Sequence, residues 1–104
     1  MLEAELKKNY TNFYDTYREL PISGPREMEV FQLLSDSVGT FINFFDNIDF
    51  NKIDFDTFDK LLVKIQEILL DNSSIISNSD NSPINKFQDT IYDFFSILKE
   101  NNGQ

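Results

Sequence analysis

Residues 45–59 read FDNIDFNKIDFDTFD, five aspartates and four phenylalanines in fifteen positions with a single lysine. Carboxylates this dense suit a hard cation, a helix start or an acidic recognition surface. The calcium-loop register fails on its ligands. With Ile53 on the loop's apolar eighth position, Asp46 takes the first and Asp54 the ninth. The third and fifth then fall on Ile48 and Phe50, which offer no side-chain oxygen. The turn glycine becomes Asn51 and the closing bidentate glutamate becomes Thr57. Calcium takes about six to eight oxygens, and this register supplies too few.

A helix start accounts for half of the stretch. With Asp54 as N-cap, Asp56 and Asp59 lie in the first turn, where the helix dipole favours negative charge. Ile53 before the cap and Phe58 after it then form a hydrophobic staple. Asp46, Asp49, Phe50 and Phe55 are left over. The two rings serve either as lids over the end of a helical core or as anchors of a protein interface with an acidic rim. On the second reading the partner-binding residues are Asp46, Asp49, Phe50, Asp54, Phe55, Asp56 and Asp59, with Tyr14 as a further aromatic candidate. Five Asp against Lys52 leave residues 46–59 with a local charge of −4, which would speed encounter with a basic partner.

Other chemistry finds little to work with. There is no His and no Cys, so imidazole bases, thiolates, disulfides and the commonest transition-metal ligands are absent. Three scattered glycines make no phosphate loop. The carboxylate pairs Asp15/Glu19, Asp89/Asp93 and Asp56/Asp59 have helical spacing, with Arg18, Lys60 or Lys86 nearby, and read as solvated faces. No enzyme activity, cofactor or metal is expected. The sequons at Asn9 and Asn72 are short matches with no secretion signal beside them.

The totals narrow the partners. Across 104 residues, eighteen acidic side chains against nine basic leave a net charge of −9. That disfavours nucleic-acid backbones and anionic membranes, and favours a basic protein partner. No apolar run reaches the roughly 18 residues of a membrane span. MLEAELKKNY lacks the apolar core of a signal peptide, so a cytoplasmic location is expected. Abundant Asn, Ile, Phe and Lys against one Ala point to an AT-rich gene.

Four segments must position these residues, each with apolar side chains at helical spacing. Leu6, Tyr10, Phe13, Tyr17 and Leu20 trace one face before Pro21. Pro25 suits a first helical position, with Glu27 and Glu29 near the positive end. Phe31, Leu34, Val38, Phe41 or Ile42, and Phe45 follow, flanked by Val30, Leu33, Phe44 and Ile48. Gly39 within this segment fits a close helix crossing or simple tolerance. Phe58, Leu61, Leu62, Ile65, Ile68 and Leu69 form the third face; Ile75 and Ile76 extend it or anchor the loop beyond. Ser82-Pro83 opens the fourth, with Ile84, Phe87, Ile91, Phe94 or Phe95, and Leu98. The doublets Phe44-Phe45 and Phe94-Phe95 require a wide buried face or a second chain.

The spacing predicts an all-α, antiparallel up-down-up-down four-helix bundle with helices at about 2–20, 26–47, 54–72 and 83–100. A single domain over 1–104 is expected, ending in a short flexible tail at 101–104. The functional expectation is a non-enzymatic inhibitor of the immunity or antitoxin kind, acting on a basic toxin or nuclease. The alternative is a helical adaptor or oligomerisation subunit, including a homodimer.

Overall fold

The computed structural model describes residues 2–21, 24–73 and 82–102. Four α-helices occupy them: α1 (Leu2–Arg18), α2 (Pro25–Asp46), α3 (Phe55–Asp71) and α4 (Ser82–Asn102). No strand occurs among the described residues. The all-α, four-helix architecture is the one expected, with each boundary within two residues of its expected place. α4 runs on through Asn102, so residues 101 and 102 are helical. Ile75 and Ile76 lie outside the described residues. The chain divides into two units, α1 paired with α4 and α2 paired with α3.

In the first unit, α1 places Glu3 and Glu5 in its first turn and Arg18 in its last, matching the helix dipole. Lys7 pairs with Glu3 at 2.7 Å, one helical turn away. Leu6 and Phe13 are buried, as are Ile84, Phe87, Ile91, Phe94 and Leu98 of α4. The Phe13 ring lies 5.1 Å from Phe87 and 5.8 Å from Phe94, and Tyr17 lies 5.8 Å from Phe87. Pairing of Asn9 with Thr90, and of Tyr17 with Phe87, makes the two helices antiparallel.

The buried line of α1 differs from the apolar stripe. Tyr10, Tyr17 and Leu20 are only half-buried, whereas Asn9 is buried. Its Nδ2 donates to the Thr90 carbonyl of α4 at 2.9 Å, so a polar side chain joins the core by finding a partner. Thr90 is buried for the same reason, its hydroxyl donating to the Phe87 carbonyl at 2.6 Å. Asn9 therefore sits too deep for its sequon to receive a glycan in the folded chain.

In the second unit, α2 opens on Gly24, whose φ of 86° and ψ of 160° belong to a region that essentially only glycine enters. Pro25 follows at the first helical position, and Glu27 lies in the first turn. The buried line is Val30, Leu34, Val38, Phe41 and Phe45. It is rotated from the expected one: Phe31 is half-buried and Leu33 is exposed. α3 answers with Phe58, Leu62, Ile65, Ile68 and Leu69, together with Gln66. Phe41 near Phe58, and Asp36 and Thr40 lining a groove with Leu61 and Lys64, make these helices antiparallel.

Phe44 is half-buried with its ring 5.5 Å from Phe58, so the Phe44-Phe45 doublet spans a wide face. Phe94 is buried and Phe95 half-buried in the same manner. Gly39 permits no close crossing. A Cβ built there meets nothing within 4 Å, so tolerance explains it.

Candidate functional site: the acidic turn between α2 and α3

Asp46 is the last residue of α2 and is exposed. Asn47 caps the helix, its backbone N–H donating to the Phe44 carbonyl and its Nδ2 to the Asn43 carbonyl at 2.8 Å, while the Ile48 N–H reaches the Phe45 carbonyl. The Asp46 carboxylate makes no hydrogen bond or ion pair among the described residues, although a carboxylate at the negative end of a helix is unfavourable.

The chain then turns on Asp49. Its Oδ1 accepts from the Asn51 backbone N–H at 2.9 Å, and its carbonyl accepts from the Lys52 N–H at 2.9 Å. Such an Asx turn supplies from a side chain the bond that a backbone carbonyl would otherwise make. Asp49 thus has a local folding role. Phe50 sits inside the turn, half-buried, with its ring 6.0 Å from Phe45 and nearly perpendicular at 77°. This edge-to-face contact holds the ring against the end of the helix pair, as a lid would.

Asp54 caps α3 as its sequence position predicts. Oδ1 accepts from the Thr57 N–H at 3.1 Å and Oδ2 from the Thr57 hydroxyl at 2.8 Å. The Thr57 N–H, then its hydroxyl, hold the Asp54 carboxyl below its ordinary value of 3.8; Lys60 adds a smaller pull in the same direction. Ile53 is half-buried just before the cap, and Phe58 is fully buried at the staple position. Phe55 opens the helix half-buried, and Asp56 lies exposed in the first turn. Asp59 falls just past that turn and is also exposed, so the dipole accounts for it less well than for Asp56.

Seven of the eight sequence candidates therefore belong to one junction, while Tyr14 belongs to the α1–α4 unit. Tyr14 is 41 % exposed, with the Arg18 guanidinium 5.7 Å from its ring centre. Asp49's turn role was readable in the pattern Asp-x-Asn, which the acidic run around it obscured. Among the described residues no three carboxylates converge closely enough to hold a metal ion. Asp15, Glu19, Asp89 and Asp93 are exposed as well. No described helix is long and apolar enough to cross a membrane.

The arrangement is an acidic edge: two aspartates fold it, three others lie exposed, and two half-exposed rings lie among them. Comparisons with protein-family models, with curated proteins and with solved structures give no match.

Proposed function

We propose that this chain is a non-enzymatic protein-binding module that engages a basic partner through the acidic turn between α2 and α3. Its most concrete form is an inhibitor of the immunity or antitoxin kind, neutralising a basic toxin or nuclease inside the cytoplasm. The supporting observation is the set Asp46, Asp56 and Asp59: exposed carboxylates with no hydrogen bond of their own, beside the half-exposed rings of Phe50 and Phe55. Charge at the rim steers encounter, and a partly buried aromatic ring supplies the anchor. The test is complex formation with the protein encoded beside it, titrated at low and high salt. Binding that weakens steeply with salt and on reversing Asp46 and Asp59 is expected. No complex at low salt, or affinity indifferent to both changes, overturns the reading.

A second reading, the helical adaptor, rests on exposed apolar side chains. Val63 and Leu70 lie two turns apart on α3 at 37 % and 56 % exposure, and Leu33 of α2 is 55 % exposed. Solution mass separates the two. Concentration-dependent dimerisation insensitive to salt favours the adaptor.

A further inference from the structure

An open groove of about 400 Å³ runs between α1 and α4. That volume falls within the roughly 300–1,000 Å³ of small-ligand sites. Asn9 is the one buried residue in its lining, 6 % exposed, and forms the floor. The bond from Nδ2 to the Thr90 carbonyl fixes the plane of its amide. Its Oδ1 accepts no hydrogen bond among the described residues and is not sealed from solvent, so it opens into the groove. A fixed carbonyl oxygen open to the groove can accept a donor from a ligand in place of water.

The walls ask for the same thing. Glu5 on α1 and Asp93 and Glu100 on α4 are exposed carboxylates, acceptors only when ionised. Lys8 is the single cation in the lining, leaving the groove at −2. Ile97, half-buried, adds an apolar strip along which an alkyl stem can lie.

We propose that this groove receives one ammonium or guanidinium group on an alkyl stem. Its donors reach Asn9 Oδ1, its charge is balanced by Asp93 and Glu100, and its stem rests on Ile97. The ligand is either a free amine or a lysine or arginine side chain of another protein. The site shares a taste for basic ligands with the acidic turn, yet it uses other helices and other atoms.

The experiment is a titration of the full chain, labelled with ¹⁵N, by agmatine and separately by a capped arginine tripeptide. The side-chain amide signals of Asn9 are followed. A saturable shift is expected, weakened about tenfold by Asp93→Asn combined with Glu100→Gln and unmoved by Asp46→Asn. Saturation by agmatine identifies a free cation as sufficient; saturation by the tripeptide alone identifies a protein side chain. A shift that stays linear with concentration, is equal at the side-chain amides of Asn9 and Asn47, or survives the double substitution overturns the site. No protein partner is present, so this outcome is independent of whether the acidic turn binds one.

Discussion

The Asp49 side chain accepts a hydrogen bond from the Asn51 backbone N–H at 2.9 Å, so this aspartate builds the turn that carries the acidic edge. Together with the Asp54 cap, it divides the aspartates by task. Asp49 and Asp54 fold the junction, whereas Asp46, Asp56 and Asp59 make no such bonds. Reversing the first two would disturb turn and charge together, and a loss of binding would be ambiguous. Charge must be probed at the other three.

Asp46→Lys gives the sharpest separation. A cation at the C-terminal end of α2 complements the dipole and should stabilise the fold by about 0.3–1 kcal/mol. The same change should weaken a basic partner and flatten the salt dependence of binding. Denaturant midpoints and affinities measured on one preparation decide it. A variant that is more stable and binds unchanged removes Asp46 from the interface.

Gly24 and Gly39 should respond with opposite signs to the same substitution. Gly39→Ala adds a methyl group where nothing lies within 4 Å, in the interior of α2. It should stabilise by up to about 1 kcal/mol. Gly24→Ala forces an ordinary residue to a φ of 86° and puts Cβ 2.7 Å from Glu27 Oε2. The carboxylate can swing away, but the backbone strain stays, at a cost of about 1–3 kcal/mol. Urea unfolding of both variants beside the parent reads the contrast.

Asn9 marks where sequence patterning loses its grip. Helical spacing of Leu6, Phe13, Phe41, Phe58, Ile65, Phe87 and Phe94 located every helix, because large apolar side chains must be covered whatever their neighbours do. It placed Tyr10 in the α1 core ahead of Asn9, since hydropathy cannot register a hydrogen bond to a residue 81 positions away. In the acidic stretch, the Asp54 cap is a local pattern and was legible. The contact of Phe50 on Phe45 depends on where the turn ends, which no local pattern fixes.

Substitution of Asn9 should follow hydrogen-bond capacity and not size. Asn9→Ala removes the donor to Thr90 and should cost on the order of 1 kcal/mol. Asn9→Asp is nearly isosteric but presents a charged acceptor to a carbonyl acceptor, so it should cost more at neutral pH. The gap between the two variants should close in acid, where a protonated Asp can donate again. Stability curves for both variants at neutral and acid pH test this; a gap independent of pH would contradict it.

The Asp54 cap gives the parent chain a pH dependence of its own. Its carboxyl lies below the ordinary 3.8 in the folded chain, so the unfolded chain takes up the proton first. The ionised cap contributes fully above that ordinary value, and its contribution is lost as pH falls through the lower folded value. Asp54→Asn keeps an oxygen for the Thr57 N–H but carries no charge. Its melting temperature should therefore fall less steeply than the parent's over that acid range. Parallel acid limbs would deny the ionised cap a part in stability.

Phe58 and Phe50 separate holding the fold from offering a surface. Phe58 is fully buried, with its ring 5.5 Å from Phe41, 5.5 Å from Phe44 and 6.2 Å from Phe45. Phe58→Ala opens a cavity among three rings and should cost about 3–5 kcal/mol, a large share of a small domain's stability. Phe50 is half-buried, beside Phe45 on a turn that Asp49 already closes. Its truncation should leave the helices folded, at a cost nearer the roughly 0.5–1.5 kcal/mol of one aromatic pair. If the acidic turn is a recognition edge, Phe50→Ala should cost a partner more than it costs the fold. Circular dichroism melts and binding isotherms on the same variant give both numbers. Loss of stability with no loss of binding would make the ring a lid and nothing more.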